Sequence, residues 1–288
     1  MSAAQPVLAG AEMLLMAGRP QEALAQLATL PTSDAIGAEA VRLRCHALIQ
    51  LERWPEAAAA ARAGLAAGGP DPDLLRLLGR AERELGNLQV AERALLDGLA
   101  LAPHDVELLC TYAQLCAASN QVDKAEKLVQ RAAAEQPHAP IVYATRVQVA
   151  YARGDDKAAQ RISREFIAEH PENPAAHALL GGMSAVRGQV GPAYDGLRQA
   201  AASAPGEQAW AEGAMEMRIA KHPLMLPIRP ILRFGPFRTW AVAVALIFGL
   251  RQVAPPLSFV VALAWAALCV YSWIVPPLVR RWVRRNWG

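Results

Sequence analysis

Through the first two hundred residues, apolar and polar positions alternate with the period of an amphipathic helix, and the alternation itself recurs. In "GNLQVAERALLDGLALAP", residues 86–103, Gly86 and Asn87 open a helix that carries a small residue at Ala91, an apolar one at Leu95, and a stop at Pro103. One constant step from Ala91 reaches Ala125, Ala159 and Ala193 in one direction and Ala57 and Ala23 in the other. Pro103, Pro137, Pro171 and Pro205 keep the same step, and so do the turn residues Gly86, Asn120, Gly154 and Gly188. Three series in one register predict a repeated pair of antiparallel helices. Small residues where the two helices cross let their backbones approach, and Gly or Asn at the turn accepts the left-handed conformation that ends the first helix. Leu95, Val129 and Leu197 form an apolar stripe that one pair cannot bury alone, so neighbouring pairs must stack.

On these residues the chain resembles the tetratricopeptide repeat (TPR) family, whose 34-residue unit has small residues at fixed offsets and a closing proline. The units run 4–37, 38–71, 72–105, 106–139, 140–173 and 174–207. Gly79, Ala113 and Gly181 take the small position of the first helix, where Cys45 and Val147 are bulkier. Glu52 stands where Gly is usual, and Ala35 and Gly69 where Pro is usual. The resemblance implies an all-α fold, a right-handed solenoid of about six helix-turn-helix repeats over residues 1–207, with first helices lining a concave face. The last repeat of a solenoid needs a cap. Residues 208–223, with Trp210, Ala214, Met217 and Ile219 at near-helical spacing, are expected to be a capping helix.

After Pro223 the pattern changes. Prolines break "LMLPIRPILRFGPFR", residues 224–238, which reads as an irregular interfacial connector. Residues 239–250 are apolar, Arg251 and the Pro255-Pro256 break follow, and residues 257–279 carry no charge. Crossing a bilayer core takes about 20 apolar residues. The stretch 257–275 qualifies before its double proline, and 237–254 reaches about 18 residues, with Arg238 and Arg251 near its ends able to snorkel. Residues 239–288 are therefore expected to form a transmembrane helical hairpin and a basic tail. A single span over 257–279 and a re-entrant or soluble core hairpin are the alternatives.

Basic residues near the spans set the orientation. Lys221, Arg229, Arg233 and Arg238 precede the first span, Arg280, Arg281, Arg284 and Arg285 follow the second, and only Arg251 lies between. The hairpin puts both basic flanks on the cytoplasmic side, whereas a single span leaves positive charge on both sides. Trp240 and Trp273 join these arginines as expected membrane-interface residues.

Composition sharpens the picture at a few points. A hydrophobic fraction of 53% and a mean hydropathy of +0.15 exceed the needs of a wholly water-soluble array. A net charge of +3 does not mark a nucleic-acid binder. The basic tail "RRWVRRNWG" abuts a span, so it reads as a cytoplasmic stop that meets anionic lipid. Lys occurs only at 124, 127, 157 and 221, and this Arg preference with abundant Ala is the usage of a GC-rich bacterial genome. The expected location is the bacterial inner membrane, with the array facing the cytoplasm. No basic residue precedes the N-terminal apolar stretch and Glu12 interrupts it, so no cleaved signal peptide is expected. Cys45, Cys110, Cys116 and Cys269 form no CxxC pair, which predicts neither a disulfide framework nor a zinc site.

The sequence has no P-loop, HExxH, GxSxG or dinucleotide fingerprint, so no enzymatic activity, cofactor, metal or small-molecule substrate is expected. His104 and His138 follow the closing prolines one repeat apart and His170 precedes Pro171; with no carboxylate or Cys recurring beside them, they read as turn or capping histidines. Cys110 and Cys116, six apart on one helix, do not face each other and read as packing residues.

First-helix offsets place Arg42, His46, Arg76, Arg80 and Arg83, then Thr111, Gln114, Thr145, Gln148 and Tyr151, on the concave face. One end of that groove is basic and the other polar to apolar. An acidic peptide or the C-terminus of a polypeptide suits it, because Arg forks bind carboxylates bidentately. The alternative is that these arginines pair with Glu39, Asp73, Glu82 and Glu84 on a solvated face. The chaperone-binding subclass uses a Lys/Asn clamp; here Leu8 and Glu12 take its first two positions, which argues against that ligand. The resulting expectation is a membrane-anchored scaffold that recruits a protein or peptide partner. The rivals are a periplasm-facing array in envelope or secretion-complex assembly, and an accessory subunit that regulates a membrane enzyme or transporter through its hairpin.

Overall fold

The computed structural model describes residues 4–35, 37–204, 206, 208–228, 236–253 and 255–285, and among them every regular element is helical. The helices are α1 (Ala4–Met16), α2 (Pro20–Leu27), α3 (Thr32–Ala35), α4 (Ala38–Gln50), α5 (Trp54–Gly68), α6 (Pro72–Glu84) and α7 (Leu88–Leu101). They continue with α8 (Val106–Ala118), α9 (Val122–Glu135), α10 (Pro140–Ala152), α11 (Asp156–Glu169), α12 (Pro174–Val186), α13 (Val190–Ser203) and α14 (Gln208–Lys221). A 3-10 helix (Pro223–Ile228), α15 (Pro236–Val253) and α16 (Pro255–Arg285) follow. From α4 onward the first helices start at 38, 72, 106, 140 and 174 and the second helices at 54, 88, 122, 156 and 190, each series stepping by 34.

The chain forms two compact units: one runs to Leu180 and takes in Ala202–Glu207, the other comprises Gly181–Ala201 with Gln208–Gly288. The sixth helix pair, α12 and α13, contributes residues to both.

In the first unit α1, α4, α6 and α8 each pack against their own second helix and against the first helix of the next pair, and α10 packs against α8 and α11. The repeating alanines make this possible: Ala23, Ala57, Ala91, Ala125 and Ala159 are all at most 1% exposed. Their partners on the first helices are equally confined. A methyl group on Gly79 would come within 2.6 Å of Leu95, so the absent side chain is what seats that leucine. Cys45 and Val147, bulkier than the pattern, are also fully buried. The core is a series of clusters between successive repeats: one joins α1, α2 and α4, one α4 to α7, and one α7 to α10.

Turn geometry repeats with the same period. Gly18, Glu52, Gly86, Asn120, Gly154 and Gly188 all have positive φ, from 56° to 80°. Glu52 at φ 56° holds a backbone conformation that disfavours a Cβ, in a turn where the Glu52 amide donates to the carbonyl of Ile49 and the Arg53 amide to that of Leu48. Asp71 and Asp105 cap α6 and α8, their carboxylates accepting from the amides of Leu74 and Leu108 at 2.8 Å.

In the second unit α14 stands where the capping helix was expected. Ala214 is buried, and Gly213 lies against Leu197 of α13. Ile219 and Met215 pack with Val275 and Val279 of α16. The sequence places the end of the apolar span at its double proline, but α16 runs through Pro276 and Pro277 as one helix of 31 residues. Proline removes only the N–H that would reach back four residues, to Ser272 and Trp273 here, and the packing of Val275 and Val279 holds the axis on either side. The connector carries the 3-10 helix, α15 begins at Pro236 within the segment expected to be irregular, and Pro205, Arg229 and Arg233 lie outside the described residues.

Candidate functional site

Helices α1, α4, α6, α8 and α10 of the first unit together line a groove of about 780 Å³. Glu12, Glu39, Arg42, His46, Asp73, Arg76, Asp105 and Glu107 supply its charged and titratable wall, and Leu43, Val106, Pro140 and Ile141 its apolar one. The groove thus spans five successive repeats on their first helices.

The arginines of this wall are engaged. Arg42 donates to Asp71 at 3.2 Å and pairs with Asp73 at 3.7 Å. Arg76, 8% exposed, pairs with Glu107 at 2.9 Å and Asp73 at 3.5 Å, while its Nε has no acceptor among the described residues. Arg83 pairs with Glu84 at 2.5 Å and donates to the amide oxygen of Gln114 at 3.0 Å. Gln114 donates on to Thr145 at 3.1 Å, and the Thr145 hydroxyl donates to the carbonyl of Ile141 at 2.8 Å. Thr111 bonds back within its own helix, to Glu107. A run of polar contacts therefore crosses α6, α8 and α10 with its donors already matched to acceptors.

His46 is held neutral, its pKa brought down from 6.5 to about 4, first by burial and then by Arg76, Arg80 and Arg42, against the opposing effect of Asp73. Arg80, Gln148 and Tyr151 are exposed on the same helices. Of the carboxylates the sequence offered to the arginines, Asp73 and Glu84 pair with them. Glu82 instead is fully buried, bound by Arg62 of α5 and by Asn87 at 2.8 Å. Glu39 and Glu12, both exposed, make no ion pair among the described residues. The groove wall carries five carboxylates against two guanidiniums and a neutral imidazole, so its net charge is negative.

Sequence reasoning missed Asp105 and Glu107 as groove residues, and it offered Glu39 as an arginine partner where no such ion pair forms among the described residues. A signal for some of them existed: Arg76 to Glu107, Arg83 to Gln114, and Gln114 to Thr145 are each separated by 31 residues. Stacked first helices recur with the period of the repeat but touch one helical turn out of step. The same spacing corrects the account of the histidines, because a carboxylate does recur with them: His104 meets Glu135 at 2.6 Å and His138 meets Glu169 at 3.4 Å, each 31 apart. These pairs tie neighbouring inter-repeat turns together. Cys45 and Cys110 are buried with thiols pushed up to about 12 and about 11 by that burial, which makes them packing groups rather than nucleophiles.

In the second unit the expected interface residues lie on two helices that pack together, α15 and α16. Trp240, Arg251, Trp273, Arg280 and Arg281 are exposed, Trp273 at 84%. Arg238, Arg284 and Arg285 lie on the same helices with side chains outside the described set. Leu257–Trp282 of α16 has a mean hydropathy of 2.0 with 6% of its most apolar window buried, and it is the one helix among the described residues long and apolar enough to cross a membrane. The apolar part of α15, Thr239–Gly249, is shorter.

Residues 82–149 match the family model described as Tetratricopeptide repeat. No curated protein matches the sequence. The chain is similar to a thermophilic TPR protein of Thermus thermophilus, 16% identical with a TM-score of 0.58, over 64% of this chain and 100% of that one. It is also similar to a tetratricopeptide repeat protein of Parabacteroides merdae, 17% identical with a TM-score of 0.61, over 74% of this chain and 83% of that one. PilW, a type IV pilus biogenesis factor, matches at 15% identity and a TM-score of 0.55, over 75% of this chain and 98% of its own. At these identities the likeness is one of fold: the molecule carries tetratricopeptide repeats followed by a C-terminal apolar helix.

Proposed function

We propose that this chain is a membrane-anchored scaffold, without catalytic activity, that holds a peptide segment of a protein partner in the groove of its repeats. The observation that carries this reading is the 780 Å³ groove lined by the first helices of five successive repeats. Of the residues expected from the sequence, Arg42, His46 and Arg76 line this groove, together with Glu12 and Glu39, whereas Arg80, Arg83, Gln114, Gln148 and Tyr151 lie on the same first helices outside its lining. The charge balance favours a segment bearing Lys or Arg over an acidic one. An incoming carboxylate must displace Asp73 or Glu107 to reach Arg76, whereas a basic side chain finds Glu12 and Glu39 without ion-pair partners among the described residues. Fluorescence anisotropy of the full chain in detergent, with matched Lys-rich and Glu-rich peptides, tests it. Preference for the Lys-rich set, weakened by salt and by Glu12→Lys with Glu39→Lys, is expected. Equal binding, or preference for the Glu-rich set, overturns it.

The anchor is α16, with α15 as its return span, so that the array and both basic flanks face the cytoplasm of a bacterial inner membrane. Anchoring raises the local concentration of the partner at the membrane. One observation favours a second reading: among the described residues α16 alone meets the length and composition for a span, and a single crossing puts the array and the arginine tail on opposite sides. Protease digestion decides between them. Cleavage of the array in inverted vesicles but not in spheroplasts is expected; cleavage in spheroplasts supports the single span.

A further inference from the structure

At the C-terminal end of α16, residues outside the repeat groove enclose a second cavity. His222, Leu224, Leu278, Val279, Arg281 and Trp282 line about 610 Å³ of predominantly apolar space. The loop side of the cavity is tied down: Tyr271 donates to the carbonyl of Leu224 at 2.8 Å, and Met225 and Val279 are buried. The His222 ring meets Trp282 edge-on with centroids 5.3 Å apart. Its Nδ1 accepts from the Leu224 amide at 3.3 Å, which leaves Nε2 as the N–H donor of the neutral ring. Arg281 is a second donor on the wall, and Arg280 adds exposed charge beside it.

Leu224, Leu278 and Trp282 are each more than half exposed around this cavity, apolar surface that water does not favour. The apolar walls are continuous with the candidate span, since Trp282 is its last residue. The site thus combines an apolar slot that opens from a membrane-compatible helix with a guanidinium and an imidazole N–H at its rim.

We propose that this cavity binds an anionic phospholipid, its phosphate held by Arg281 and His222 and an acyl chain lying along Leu224, Leu278 and Val279. The proposal rests on the reading of α16 as a membrane anchor, and it assigns the end of that helix a headgroup preference that anchoring alone does not require. Arginine supplies a planar fork suited to phosphate, and a positively charged helix end at the cytoplasmic leaflet lies where anionic lipids concentrate.

The test is lipid retention by the full chain in detergent, read by native mass spectrometry with equal phosphatidylglycerol and phosphatidylcholine, alongside flotation of the protein with phosphatidylcholine vesicles. A roughly fivefold preference for phosphatidylglycerol is expected, the scale of one arginine at an anionic surface. Arg281→Gln and, separately, His222→Phe, which keeps the ring contact with Trp282, should each reduce that preference. Equal retention of the two lipids, or a preference unchanged in both variants, overturns the site. Competition by inorganic phosphate at concentrations comparable to the lipid also overturns it, because the acyl slot would then contribute nothing. Failure to float with vesicles sinks the anchor reading on its own, independently of what the retention assay reports.

Discussion

Ala91 on α7 and Trp273 on α16 mark two opposite uses of apolar sequence in this protein: the alanine is fully buried, and the tryptophan is 84% exposed. In the repeats the smallest residues sit deepest, because a helix pair gains by bringing backbones together and letting Leu95 fill the space over Gly79. In α16 the large residues Phe259, Val260, Leu263 and Ile274 point away from the protein. Leu257–Trp282 of this helix is long and apolar enough to cross a membrane. Hydrophobic content is therefore a poor guide by itself; what separates the two regions is whether the apolar face has a partner within the fold.

Truncation of Leu95 should break the array most severely. Leu95→Ala is expected to cost about 4 kcal/mol in urea unfolding, because it leaves a cavity over Gly79 that stacked helices cannot close. The same change on α16, Leu263→Ala at an exposed position, should move the unfolding free energy in detergent by less than about 0.5 kcal/mol. Comparable losses at the two positions would erase the distinction between them.

Leu263→Arg puts the contrast to the reverse test. It should leave array folding unchanged while costing about 3 kcal/mol on insertion, a loss of roughly 100-fold in vesicle partition. An array that unfolds with this variant would show that α16 acts as a core helix.

Protonation tests the groove from within. His46 binds its proton at about 4 in the fold and at 6.5 unfolded, so the unfolded chain is protonated first as pH falls. Its neutral ring is compatible with full stability above pH 6.5, and on the order of 3 kcal/mol is lost progressively as pH drops toward 4. His46→Gln should remove that part of the pH dependence while leaving the carboxylate-driven part in place. An unchanged slope in the variant would mean that the ring is not held neutral by its three arginines and its burial.

The smallest effect concerns Glu52, the residue at φ 56° where other repeats use glycine or asparagine. Glu52→Gly should stabilise the array by about 1 kcal/mol, since the left-handed conformation costs a side-chain-bearing residue about that much. Thermal unfolding of the variant beside Gly86→Ala, which should shift the other way at φ 80°, checks the sign.

Much of the fold was legible in the sequence, because its determinants are local and periodic. The series through Ala91, the turn series through Gly86 and the closing prolines place helices whose starts keep one constant step, and Trp210 to Ile219 place α14. A helix boundary depends on a few neighbouring residues, and a stripe repeated six times marks itself. The departures were legible too, but not their outcomes: that Glu52 would be forced into the left-handed region, or that α16 would pass through Pro276 and Pro277, depends on what packs beside them.

The candidate site lay at the other extreme. The sequence identified Arg42 and Arg76 as groove residues, yet their charge in the groove is set by Asp71, Asp73 and Glu107, which stand at the starts of first helices α6 and α8. Composition and register alone thus determine the repeat, its period, its turns and the presence of a long apolar helix. Only the tertiary structure decides which charges cancel, that Glu12 and Glu39 are left without ion pairs among the described residues, and that His222 and Arg281 converge on one apolar cavity. The physical reason is range: a helix follows from interactions within four residues, whereas the net charge of a surface depends on pairings across stacked helices that no local pattern encodes.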